Sequence, residues 1–111
     1  MFVIDEKLQS LALSISTNGD NSVIAAPGEG QYLAIDFISF FPTTAVTVTM
    51  YSGTTALSGA MPLDAKQTIT WENSSRNQDG VITCADNSAF IINLGGAIAV
   101  NGLIRYRIVG R

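Results

Sequence analysis

The chain has 111 residues, no histidine and a single cysteine, Cys84. Six basic and nine acidic residues give a net charge of −3, and the charged fraction of 14% is well below the roughly 25% of an average globular domain. This composition excludes a Ser-His-Asp or Cys-His catalytic system, a histidine or four-cysteine zinc site and an intrachain disulfide, and it argues against nucleic-acid binding, which needs a basic surface.

The first seven residues are predicted to form a short N-terminal arm, followed by a single domain over residues 8–111. Phe2, Val3 and Ile4 give the arm an apolar strip. This strip is expected either to lie across a neighbouring subunit or to pair at the chain's own sheet edge. Because no basic region and no long apolar run follow Met1, we predict no secretory signal.

Alternation of apolar and polar residues predicts strands along most of the chain. In the first of them, over residues 8–16, Leu11, Leu13 and Ile15 share one face. The Asn18-Gly19 step that follows is typical of a turn, because both residues tolerate a positive φ.

The strand predicted over residues 31–41 is apolar on both faces. Regular alternation assigns Leu33, Ile35, Phe37, Ser39 and Phe41 to one face, and Tyr32, Ala34, Asp36, Ile38 and Phe40 to the other. A strand of an isolated sandwich exposes one face to water, so a loop or another subunit is expected to cover this one. Tyr32, Asp36, Ile38 and Phe40 are therefore candidate interface residues.

Further short strands recur every eight to twelve residues, and no amphipathic helix is apparent. This spacing predicts an all-β protein, a small antiparallel β-sandwich of about eight strands with a jelly-roll-like arrangement. An immunoglobulin-like sandwich is the alternative, but the chain lacks the paired cysteines of that fold. The polar run at 73–80 is predicted to be an exposed loop.

Arg105 and Arg107 project from the same side of the last predicted strand, over residues 103–109. They are candidate interface residues that could pair with carboxylates of a neighbouring subunit, or they are ordinary solvated arginines. Asp36 is the one acidic residue within an apolar strand. We expect it to pair with Arg105 or Arg107 rather than to act in catalysis.

No other residues predict a catalytic, metal or cofactor site. The remaining carboxylates lie beside turn residues and form no recognisable acid and base pair. The EF-hand spacing is missing, and the glycines at 28 and 30 lack the Lys and Ser or Thr of a phosphate-binding loop. Cys84 has no basic neighbour in sequence and is expected to be a buried, unreactive thiol.

Two long stretches of the chain, 37–63 and 87–104, contain no charged residue. Uncharged side chains can be buried against another subunit without removing ions from water. Both stretches are therefore candidate contact regions. The second is long enough to cross a bilayer, but its Asn and Gly residues favour turns between strands, and we expect no membrane partner.

The sequence resembles small tailed-bacteriophage virion proteins over most of its length from about residue 8 onward. The resemblance is carried by SISTNGDNSVIAA at 14–26, QYLAIDFISF at 31–40, TVTMYSG at 47–53, NLGG at 93–96 and GLIRYR at 102–107. Such proteins form β-sandwich or jelly-roll subunits, often trimeric, that decorate or cement a capsid. Others lie at vertices, connectors or fibres.

The resemblance implies a non-enzymatic capsid decoration or cement subunit, assembled into the virion in the bacterial cytoplasm. Its expected partners are further copies of itself, with a homotrimer favoured, and the major capsid protein or another virion protein. The alternative is a carbohydrate-binding module or the tip domain of an adhesin or fibre. That function would use Tyr51, Tyr106 and the loop at 73–80 to contact sugars.

Overall fold

β-branched and aromatic residues alternate with small polar ones, and the described part of the chain forms ten strands from them. The structure, a computed structural model, describes residues 5–73 and 79–110, and within these residues no helix is long and apolar enough to cross a membrane. The strands are β1 (Asp5–Ile15), β2 (Gly19–Ile24), β3 (Gln31–Pro42), β4 (Val46–Ser52), β5 (Thr55–Ala56), β6 (Met61–Leu63), β7 (Ile69–Glu72), β8 (Ile82–Thr83), β9 (Phe90–Leu94) and β10 (Val100–Gly110).

The strands form two five-stranded antiparallel sheets. Sheet A has the order β1-β10-β3-β7, with β8 also paired to β3, and sheet B has the order β2-β9-β4-β5, with β6 also paired to β4. The chain crosses between the sheets after β1, β2, β3, β6, β8 and β9, so most neighbours in sequence lie in opposite sheets, as in a jelly roll. This arrangement confirms the predicted all-β, jelly-roll-like sandwich. The strands number ten rather than about eight because the outer positions beside β3 and β4 are each shared by two short strands.

The core lies between the two sheets and consists of alternate side chains from each strand. In sheet B, the inward residues of β4 and β9 include Val48, Met50, Phe90 and Ile92, all nearly inaccessible to solvent. They pack against Leu33, Ile35, Ile38, Phe40, Val100 and Ile104 from β3 and β10 of sheet A. Removing this apolar surface from water stabilises the sandwich by roughly 25 cal/mol per Å².

A β-bulge at Asp36 reverses the faces of β3. Phe37 pairs with Arg105 and Ile35 pairs with Tyr106, so Asp36 is an additional residue opposite two consecutive residues of β10. Leu33 and Ile35 therefore point inward before the bulge, whereas Ile38 and Phe40 point inward after it. The prediction of regular alternation along this strand is wrong. The strand has apolar residues at both odd and even positions because the inward-facing positions change from odd to even numbers at the bulge.

Three of the predicted interface residues are buried within the chain. Ile38 and Phe40 are fully buried in the core between the sheets, where they cannot contact another subunit. Tyr32 forms a small second cluster with Ala34 and Val109, and its hydroxyl donates a hydrogen bond to the carboxylate of Asp79. The assignment of Tyr32, Ile38 and Phe40 to an interface is therefore corrected.

The structure describes only the second part of the predicted N-terminal arm. Asp5, Glu6 and Lys7 belong to β1, and Asp5 pairs with Ile108 of β10. Residues 1–4, which include the predicted contacts Phe2, Val3 and Ile4, lie outside the described residues, as do residues 74–78 of the predicted loop. The turn at Asn18-Gly19 is confirmed, since Gly19 has a φ of 96° and the chain crosses there from sheet A to sheet B.

Candidate functional site

A polar cluster holds the bulge of β3 in place. The carboxylate of Asp36 accepts hydrogen bonds from Nη2 of Arg107 at 3.2 Å and from Nδ2 of Asn73 at 2.9 Å. The backbone N–H of Asn73 also donates to the carbonyl of Asp36 at 2.9 Å. Asp36 therefore pairs with Arg107, one of the two arginines that the sequence offered, and this contact lies within one chain. It joins β3, β10 and the residue that follows β7.

The same cluster lines an open pocket of about 330 Å³, together with Leu8. Its carboxylate is already engaged by two donors, and glycoside hydrolysis requires a second carboxyl group that this lining does not supply. Among residues 5–73 and 79–110, no group of three or more His, Cys, Asp or Glu is placed to hold a metal ion. The chemistry of this cluster is that of a structural ion pair.

The outer surface of sheet A carries an uncharged patch, here called the neutral face. It consists of Ser39, Phe41, Thr70, Asn101 and Leu103. Leu103 pairs with Ser39, Ser39 with Thr70, and Asn101 with Phe41, so the five side chains form two adjacent rows across β10, β3 and β7. Leu103 is 41% exposed and Phe41 is 36% exposed. They are two of the three large exposed hydrophobic residues in the described part of the chain, the other being Leu8.

The neutral face arises because the two charge-free stretches of the sequence lie side by side. Residues 38–42 of β3 pair with residues 100–104 of β10. The C-terminal part of β3 and the N-terminal part of β10 therefore contribute uncharged side chains to one continuous surface. Ala12 and Ser14, which pair with Leu103 and Asn101, continue this surface onto β1. A surface depleted of charge and carrying exposed Phe and Leu is typical of the centre of a protein interface.

Arg105 lies at the border of the neutral face. It pairs with Phe37 on one side and with Ser10 on the other, and Glu72 lies beyond Phe37. Among the predicted interface residues that the structure describes, Arg105 is the one that is exposed. Its guanidinium is therefore available to a carboxylate of a partner, whereas Arg107 is engaged by Asp36.

Sequence reasoning did not identify Phe41 and Leu103 as candidate contacts. Regular alternation assigned Phe41 to the same face as Leu33 and Ile35, and the bulge at Asp36 reverses that assignment. The signal that could have identified both residues is their position inside the charge-free stretches. That signal marks regions of chain and does not indicate which side chains point outward.

The outer surface of sheet B has a different character. Thr47, Thr49 and Tyr51 alternate with buried residues along β4, and Asn93 of β9 donates a hydrogen bond to the carboxylate of Asp20 at 2.8 Å. Tyr106 packs against the core from sheet A and donates from its hydroxyl to Gln9. The two tyrosines predicted to stack on sugars therefore lie on different sheets and cannot form a single platform.

The Cys84 thiol is buried, as predicted from its sequence context, and is 2% exposed. Burial raises its pKa from 9.0 to about 11, against the opposing effect of a hydrogen bond with Ser52. Since the thiolate is the nucleophilic form, the native thiol is a poor nucleophile near neutral pH.

We expect Cys84 in the native protein to resist alkylation by iodoacetamide at pH 8 and to react readily once the chain is unfolded in urea. Because the folded pKa lies above the unfolded one, the thiol adds stability that is complete below about pH 9 and is lost as the pH rises towards 11. Mass spectrometry after timed alkylation measures the first effect, and urea unfolding at pH 8 and pH 11 measures the second. Cys84→Ala is the control for the pH dependence. Rapid alkylation of the folded protein would contradict the buried position.

Comparisons with protein-family models, curated proteins and solved structures gave no match to this chain. The surfaces of the chain itself are therefore the basis for its proposed function. Among these surfaces, the neutral face is distinguished by its lack of charge and by the exposed side chains of Phe41 and Leu103.

Proposed function

We propose that this protein is a non-enzymatic structural subunit of a virus particle, a capsid decoration or cement protein that self-associates and attaches to the capsid through its neutral face. The observation that carries the proposal is the exposed pair Phe41 and Leu103 within an uncharged surface of sheet A. The resemblance to tailed-bacteriophage virion proteins favours a capsid as the partner and assembly in the bacterial cytoplasm.

Attachment through this surface is physically favourable for two reasons. Ser39, Thr70 and Asn101 carry no charge, so a partner can cover them without desolvating an ion. Phe41 and Leu103 contribute apolar area whose burial is favourable by roughly 25 cal/mol per Å². The side chains lie on three adjacent strands, which present a broad surface to a partner rather than a cleft to a small molecule.

A double variant of the neutral face tests the proposal. We expect Phe41→Ser with Leu103→Ser to reduce attachment to capsids by tenfold or more, because truncating buried anchor residues costs about 2 kcal/mol or more. Capsids of the virus that encodes the chain, stripped of or assembled without this protein, are mixed with it and sedimented. Both side chains lie outside the core, so the variant should stay folded with a modestly lower melting temperature.

The matched control is Tyr51→Ser, which removes an aromatic ring from the outer surface of sheet B. This variant should bind capsids like the wild type. The proposal fails if the protein is missing from purified particles, or if the neutral-face variant binds capsids as tightly as the wild type does.

A carbohydrate-binding function is the second candidate, and it is favoured by the position of Tyr51. This ring lies on the outer surface of sheet B between Ile91 and Ala56, and the next row along the strands holds Thr49 opposite Asn93. An aromatic ring with hydroxyl and amide groups one row away is suited to a sugar. Binding to a glycan array that is lost with Tyr51→Ser, but kept with the neutral-face variant, would support this function and count against capsid attachment.

A further inference from the structure

We propose that β1 pairs edge to edge with β1 of a second copy of the chain, in an antiparallel arrangement about a two-fold axis. The two sheets A then form one continuous sheet of ten strands. This inference deepens the proposed function and rests on its self-association, because it names the contact by which copies associate. It concerns the edge of sheet A, whereas capsid attachment concerns the neutral face.

The free edge of β1 lacks charged residues, Pro and Gly over residues 8–15. β1 spans 11 residues, and within the described chain it pairs with β10 alone. Alternate N–H and C=O groups of an edge strand point away from its single partner and need water or another strand. Residues 8–15 contain no charged residue, no Pro and no Gly. Natural edge strands usually carry one of these features, because they prevent pairing with another chain.

The other strands at the sheet edges are short or carry such a feature. β2 has six residues and includes Gly19 and Asp20. β7 has four residues and ends with Glu72, and β6 has three residues with Pro62 at its centre. β5 and β8 have two residues each. The charges of β1, on Asp5, Glu6 and Lys7, lie at its N-terminal end, where its pairing with β10 is irregular. The unprotected part of this edge is therefore the uncharged stretch 8–15.

A second copy fits this edge best in the register that pairs the whole regular part of β1, residues 9–15, with the same residues of the other copy. In a two-fold pair, opposite residues lie on the same face of the joined sheet, so the inner face of each strand continues into the inner face of the other. Centring the pair on Ala12 places Ala12 opposite its own copy. It also places Leu11 opposite Leu13 on the inner face and Ser10 opposite Ser14 on the outer face.

The same register places no like charges opposite each other. The paired residues 9–15 contribute no charge, and Gln9 lies opposite Ile15. A pair centred on Leu11 or on Leu13 is less favourable, since it would pair only residues 9–13 or 11–15 of this regular segment with each other. Directly opposed like charges destabilise strand pairs, and opposed apolar residues stabilise them. The sequence of β1 is thus complementary to itself about Ala12.

The two-fold pair has a consequence for the assembly. Because the axis is perpendicular to the sheet, the neutral faces of both copies lie on the same side of the ten-stranded sheet. The pair would present two copies of Phe41 and Leu103 to one capsid surface. It also predicts an even number of copies, where the resemblance implies a trimer, so the mass in solution distinguishes the two.

Substitution of Ala12 by residues of opposite charge tests the pairing of β1 with its own copy. We expect the wild-type protein to have the mass of a dimer at micromolar concentration in light scattering coupled to size exclusion. Ala12→Lys and Ala12→Glu should each be monomeric, because each places two like charges at the axis. An equimolar mixture of the two variants should recover the dimer. Thr55→Lys, on the exposed β5 strand of the other sheet, is the control that should remain dimeric.

Cross-linking gives a second measurement that does not depend on the charged variants folding. Opposite residues of an antiparallel pair have Cα atoms about 4.5 to 5.5 Å apart, which suits a disulfide. Ala12→Cys should therefore form a covalent dimer on mild oxidation, and Thr55→Cys should not, while native Cys84 is buried. A cross-linked dimer formed equally by both variants would contradict the pairing.

A monomeric or trimeric wild-type protein overturns the inference, as does a dimer that Ala12→Lys leaves intact or that the mixture does not restore. The neutral-face variant separates this contact from capsid attachment. It should keep the dimer mass while it loses capsid binding, so failure of one proposal can be recognised independently of the other.

Discussion

Phe40→Ala is expected to lower the free energy of unfolding by about 3–5 kcal/mol, the range typical of removing a buried aromatic ring. Phe41→Ala, at the next position, is expected to lower it by only about 1 kcal/mol, because Phe41 lies outside the core and loses mainly strand propensity and partial packing. Phe40 is fully buried between the sheets, whereas Phe41 is 36% exposed on the neutral face. The large difference arises because truncation of Phe40 leaves a cavity and truncation of Phe41 does not.

Urea unfolding of both variants, followed by fluorescence of the single Trp71, measures the two changes. The comparison also tests the bulge at Asp36. Without the bulge, regular alternation would place Phe41 on the same face as Leu33 and Ile35, and Phe41→Ala would then be the more damaging change. A larger loss of stability for Phe41→Ala than for Phe40→Ala would therefore contradict the register of β3.

Gly102→Ala is expected to destabilise the protein by about 3 kcal/mol or more, since overpacking at a site that cannot relax forces the backbone to move. Gly102 is the third residue of β10 and lies opposite Phe40 on one side and Leu13 on the other. A Cβ atom there would overlap the carbonyl oxygen of Ser39 and lie 2.7 Å from the Cα of Phe40. Both are backbone atoms of β3, so relief requires the two central strands of sheet A to separate.

The matched control is Gly59→Ala. A Cβ atom at Gly59 has no neighbour within 4 Å, so this change should leave stability within about 0.5 kcal/mol of the wild type. Thermal unfolding monitored by circular dichroism should show a melting temperature lower by roughly 10 to 20 °C for Gly102→Ala. Equal melting temperatures for the two variants would contradict the pairing of β10 with β3.

The two proposed contacts use different parts of sheet A, one its outer face and the other its edge. The neutral face lies on β3, β7 and β10, and the unprotected edge is β1, which pairs with β10. Sheet B has polar residues on its outer surface and short or interrupted strands at its edges. Self-association and capsid attachment can therefore occur through sheet A while sheet B remains exposed to solvent.

The sequence alone determined the fold class, because period-two alternation and turn residues are local properties of the chain. It also predicted the burial of Cys84, since no neighbouring residue favours a thiolate, and it limited the partner of Asp36 to two arginines. The charge-free stretches marked the regions that form the neutral face. Each of these conclusions depends on residue types and short spacings.

The tertiary structure decided which side chains point outward. The bulged residue Asp36 contacts Arg107, which lies 71 residues away in the sequence, and one additional residue reverses every later position of β3. Ile38 and Phe40 thereby enter the core, and Phe41 joins Leu103 on the surface. The free edge of β1 likewise follows from strand order. A register between distant strands is set by packing and hydrogen bonds across the sheet, which a local pattern of residues does not contain.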